Sequence, residues 1–183
     1  MKHLTILVAA TLAMLASCAT SPQAHSDHDR AQDFSVYRNY AWIADQPMIM
    51  APEGAAQVSP LNRRRIEEAI EKELAAKGYR KTDRADADFV LSYSVGTRDR
   101  LDPSYYPPPY AGVWRWGRGY YGAATSVDVY REGTLSIDVF DARSHAAVWH
   151  GWTTGRVTER DVRYAAELIP PAVTAILQRF PPK

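Results

Sequence analysis

Cys18 is the only cysteine among 183 residues. A lone thiol makes no internal disulfide, and left free in an oxidising compartment it is a liability. The other residue types that catalyse are scattered. His145 and His150 are the histidines expected within a folded domain, and Asp138 and Asp141 precede them. A nucleophilic hydrolase needs a serine or cysteine activated by a base, and no Gly-x-Ser-x-Gly elbow occurs. There is also no Gly-rich phosphate loop, no His-Glu-x-x-His pair and no cysteine pair for metal. His150 alternates with Trp149 and Trp152, which suits a half-buried or surface histidine better than a general base. Asp138 and Asp141 fall on opposite faces of a strand end, and Asp141 suits a turn cap. The expectation is a non-enzymatic protein without metal or cofactor.

What precedes Cys18 gives its thiol a use. Lys2 and His3 open a leader, residues 1–17, whose apolar run over 4–15 is broken only by Thr5 and Thr11. As a helix that run rises about 18 Å, too short for a hydrocarbon core of about 30 Å, so it reads as a signal peptide rather than a membrane span. It ends in Leu15-Ala16-Ser17-Cys18, which resembles the lipobox of bacterial lipoproteins. That resemblance implies cleavage before Cys18 and attachment of diacylglycerol, with palmitate-type chains, to its thiol. Two or three acyl chains make release from a membrane negligible. Ala19, where an Asp would retain such a protein at the inner membrane, points by the same resemblance to the periplasm-facing leaflet of the outer membrane.

A second segment stands out by composition. Residues 98–124 contain Tyr105, Tyr106, Tyr110, Trp114, Trp116, Tyr120 and Tyr121, interleaved with Pro103, Pro107, Pro108, Pro109 and four glycines. The stretch is too long for an ordinary hairpin connection. Its rings, with Arg115 and Arg118, suit stacking on cell-wall glycan, seating an envelope protein, or lying in a lipid interface. Folded back on a sheet, the same rings would serve packing alone.

Residues 18–32, rich in Ser, His, Asp, Ala and Gln, read as a flexible tether. Its His25, Asp27, His28 and Asp29 lack the fixed geometry a metal needs, so a solvated linker is expected. Residues 33–183 then form a single domain. Tyr40 and Trp42 alternate in a short strand. Ser59-Pro60 can cap and start a helix whose stripe Ile66, Ala69, Ile70, Leu74 ends at Gly78. Phe89, Leu91, Tyr93 and Val95 alternate in a further strand. Residues 127–130 and 134–140 read as strands joined by a turn at Arg131-Glu132-Gly133, and 147–157 as the returning strand. At the C-terminus Pro170-Pro171 splits the apolar helical pattern into two pieces. The expected fold is α+β, a mostly antiparallel sheet of four to five strands with two main helices on one face.

Composition agrees with a globular domain: 46% of residues are hydrophobic, 11% are aromatic, and the formal charge is +1. Loss of Lys2 with the leader brings that charge to zero, which removes any basic field for nucleic acid. Asp33-Phe34, Tyr37, Tyr40-Ala41-Trp42, Ala85-Asp86-Ala87-Asp88-Phe89, Gly133-Thr134-Leu135, Ile137-Asp138, Asp141 and Trp149 with Gly151 together resemble the bacterial lipoprotein family called domain of unknown function 4136. The resemblance implies a small periplasmic α+β domain on a lipid anchor and brings no catalytic residues with it. The functional expectation is an envelope interaction or structural module. Its rivals are an accessory lipoprotein of a transport or assembly complex, and a cell-wall hydrolase.

Overall fold

The structure, a computed structural model, describes residues 22–48, 58–105 and 125–182, with backbone alone over 99–105 and 125–130. Cys18 and six of the seven aromatic candidates, Tyr106, Tyr110, Trp114, Trp116, Tyr120 and Tyr121, lie outside the described residues, as do the leader and residues 18–21 of the tether.

The strands among the described residues are β1 (Ala24–His28), β2 (Asn39–Trp42), β3 (Arg80–Lys81), β4 (Phe89–Tyr105), β5 (Thr125–Asp141) and β6 (Ala147–Arg156). They form one sheet in the order β1-β6-β5-β4-β2-β3. From β1 to β4 the pairing is antiparallel, whereas β2 runs parallel to both β4 and β3. The helices are α1 (Pro60–Ala76), α2 (Glu159–Arg163) and α3 (Ala165–Leu177). The α+β expectation therefore holds, but the sheet is mixed and has six strands. Both extra strands are edges: one lies in the expected tether and the other is two residues long.

α1 forms where its pattern places it. Ser59 Oγ accepts a hydrogen bond from Asn62 N at 3.2 Å, Pro60 fills the first turn, and Ile66, Ile70 and Leu74 are buried. Gly78 takes φ +88 just beyond the helix, a conformation that suits glycine. Leu74 and Ile70 meet Leu91 and Tyr93 of β4, Ile137 and Val139 of β5, and Val173 and Ile176 of α3 in one apolar core. Phe180 closes it, with ring centroids 5.2 to 6.0 Å from Trp149, Tyr79, Phe89 and Phe34.

Four sequence expectations are corrected. Residues 24–28, read as tether, form β1, because β6 offers an edge whose backbone groups this polar segment can satisfy. Arg131-Glu132-Gly133 is no turn: β5 runs straight through it, paired with β4 on one side and β6 on the other. A Cβ on Gly133 would lie 2.5 Å from Val157 Cγ2, so a larger residue there obliges that side chain to move. The loop expected over 98–124 begins as strand, because 99–105 pair with 125–131 beyond the last β6 partner, Glu132↔Arg156. Lastly, the C-terminal helices part at Tyr164 (φ −98, ψ 19), while Pro170 and Pro171 sit inside α3. Both prolines are exposed, so the carbonyls deprived of an N–H partner can turn to water.

Candidate functional site

Cross-strand register brings together side chains that lie far apart in sequence. α3 covers the sheet face on which Gly151 lies, where an added Cβ would strike Ile176 and the Trp149 ring. The alternate positions belong to the other face. One row there reads Ser92, Asp138, His150, Asp27 across β4, β5, β6 and β1, and the next reads Ser94, Ser136, Trp152, His25.

His150 Nδ1 lies 2.6 Å from Asp138 Oδ1, with side chains 46% and 26% exposed. A carboxylate so placed fixes the imidazole's orientation. The Trp152 indole stacks on two imidazoles at interplanar angles of 26°, that of His25 with centroids 5.5 Å apart and that of His150 at 5.0 Å. Ser94 Oγ and Ser136 Oγ share a hydrogen bond of 2.8 Å. Ser92 Oγ is fully buried and has no hydrogen-bond partner among the described residues.

The composition of this cluster invites comparison with a Ser-His-Asp triad, and its order rules that arrangement out. In a triad the imidazole stands between nucleophile and carboxylate. Here Asp138 stands between Ser92 and His150, and the serine is two strands, about 10 Å, from the ring. What remains is a polar and aromatic surface at the β6–β1 side of this face, made by His150, Trp152, His25 and Asp27. Trp152 and His150, two apart on one strand, share a face, a correction to the alternation expected of them; their partners Asp138 and His25 required the register. His145, the other histidine expected in the domain, is exposed at φ 60 in the turn after β5. His25 and His28 belong to the sheet as well, a correction to their assignment as linker.

Asp141 has the capping use its position implied, and more. Its Oδ1 accepts from Arg143 N (3.0 Å), Ser144 N (2.7 Å) and Ser144 Oγ (3.0 Å), and its Oδ2 from the Tyr37 phenol (3.0 Å). The Ser144 backbone N–H does most to hold its carboxyl below the usual range, against the opposing effect of burial. Burial, then the bond to Asp141, pushes the Tyr37 phenol well up. These groups anchor the turn and add no reactive centre.

The sequence-singled Tyr105 ends β4, paired with Thr125. Among the described residues, no group of three or more His, Cys, Asp or Glu is placed to hold a metal, and no helix is long and apolar enough to cross a membrane.

No curated protein matches this chain. Among solved structures it is similar to a DUF4136 family protein from Bacteroides thetaiotaomicron, with TM-score 0.52 and 16% identity over 86% of this chain and 95% of that one. A PDZ domain protein from Parabacteroides distasonis gives TM-score 0.45 and 17% identity, over 96% of this chain and 40% of that one. The PelC dodecamer from Paraburkholderia phytofirmans gives 0.42 and 16%, over 84% and 96%. At such identities the first of these likenesses speaks for fold alone. A family model, Domain of unknown function (DUF4136), matches residues 24–182, and by that match this chain belongs to the DUF4136 family.

Proposed function

We propose that this protein is a lipid-anchored component of the bacterial cell envelope, held by acyl chains on Cys18 at the periplasmic side of the outer membrane, and that its domain is a non-catalytic interaction or structural module. The observation that carries this reading is the single cysteine at the edge of a short apolar leader, in Leu15-Ala16-Ser17-Cys18. Acylation gives the thiol a use and explains why it has no partner cysteine. The domain's chemistry supports a binding role. Its one exposed imidazole-carboxylate pair, among the described residues, has no nucleophile on the imidazole side, whereas His25, Trp152 and His150 form a stacked aromatic surface of the kind that seats a partner or a glycan.

Intact mass spectrometry of protein extracted from membranes tests the anchor. The expected mass is that of residues 18–183 plus a diacylglyceryl group, with or without one further acyl chain, and Cys18→Ser should leave the leader uncut and the acyl mass absent. A native protein without acyl groups overturns the reading. For the domain, Trp152→Ala combined with His150→Ala should abolish the crosslinks that this sheet face makes in intact cells while leaving anchoring unchanged. Crosslinks that persist in that variant assign the contact elsewhere.

A further inference from the structure

Resting on the Cys18 anchor proposed above, we infer that the projecting β4–β5 ribbon and the α2–α3 corner form a surface that docks on a phospholipid bilayer. Three placements carry this. First, the chain enters the sheet at the ribbon end. Ala24 pairs with Thr153, and Thr153 Oγ donates to Gln23 O at 2.8 Å, so β1 starts where β6 is finishing. The row holding Ala24 and Thr153 continues through Leu135 to Val95.

Second, the ribbon outreaches the tether. From Val95 the strand continues ten residues to Tyr105, paired throughout with β5, a projection of about 33 Å at 3.3 Å per residue. Cys18 is six residues from Ala24, and a fully extended chain spans at most about 3.6 Å per residue, about 22 Å in all. A domain anchored through Cys18 therefore holds its ribbon within reach of the bilayer and cannot stand upright on this end with the ribbon in water.

Third, the residue types there suit an interface. Leu101, Pro103 and Tyr105 occupy alternate register positions opposite Val129, Val127 and Thr125, while Asp102 opposite Asp128 and Ser104 opposite Ser126 occupy those between. These register positions continue the alternation of Phe89, Leu91 and Tyr93, the β4 residues on the helix side of the sheet. On that side, just past the end of β6, Val162, Tyr164 and Leu168 are 65%, 45% and 46% exposed. Arg160 lies over the Tyr164 ring, 5.6 Å from its centroid, and Arg163 is exposed. Glu159, Asp161 and Glu167 offset these arginines, so the contact depends on apolar insertion and on the high effective concentration an anchor supplies, not on anionic headgroups.

The test uses the full acylated protein, its mass verified, in vesicles of phosphatidylethanolamine and phosphatidylcholine. An environment-sensitive fluorophore is attached through Ser126→Cys on the ribbon, Val162→Cys at the corner, Asp29→Cys just past the β1 edge, or Ser144→Cys at the far end. Nitroxide-bearing lipids should quench the Ser126 and Val162 probes at least about threefold more than the Ser144 probe, with little change in 0.5 M salt. Equal quenching at all positions overturns the inference. So does quenching confined to the Asp29 probe, which would lay the domain on its β1 edge. Native protein without an acyl mass defeats the anchor, and the docking with it; acyl mass without ribbon quenching defeats the docking alone.

Discussion

At Asp141 one carboxylate accepts four hydrogen bonds, three from the turn that follows it and one from Tyr37, 104 residues away. Because folding lowers its pKa, the stabilisation is present above the unfolded carboxylate value of about 3.9 and is lost as pH falls through the lower folded value. Asp141→Asn should therefore reduce stability by about 1–3 kcal/mol at pH 7, with the difference from wild type shrinking below about pH 4, as urea titrations across pH would record. Gly151 presents a different constraint, since a Cβ there collides with the Trp149 ring and with Ile176. Gly151→Ala should lower stability by about 1–3 kcal/mol in thermal melts, through displacement of α3 from β6. Asp141's capping role was legible from its place before a polar turn. The demand for glycine at 151 was not, because the obstruction includes a helix 25 residues downstream.

Among the elements, α1 and α3 show opposite degrees of legibility. The cap, the apolar stripe and the terminating glycine of α1 are all local, and the helix follows them. α3 keeps two prolines in its interior because Val173, Ile176 and Leu177 are fully buried, and the gain from that packing exceeds the loss of two backbone hydrogen bonds. Pro170→Ala should restore a hydrogen bond to Ala166 and raise stability by about 1–3 kcal/mol in chemical denaturation. A neutral or destabilising result would mean that the proline's restriction of the unfolded chain outweighs the missing bond. β5 is the converse case. Its Gly133 reads as a turn by residue type, yet pairing on both sides holds the strand extended through it.

For the molecule as a whole, β1 decides where the domain begins. With five residues in register against β6, it brings His25 onto Trp152. Amides of β1 that bond to β6 should exchange with solvent far more slowly than those of residues 30–31, measured by hydrogen exchange. A chain starting at residue 30 should lose at least about 2 kcal/mol in urea unfolding and associate through the bared edge of β6. Unchanged stability would show β1 to be dispensable to the fold.

The sequence by itself determined α1 with both its ends, the alternation that fills the core from β4 and β5, and the family resemblance, because each is written in residues close along the chain. Only the tertiary structure decided that a polar segment becomes an edge strand, that two expected strands are one, and that Asp138 meets His150. Register between strands arises from backbone pairing with distant partners, and a segment's own composition does not encode the edge it will find.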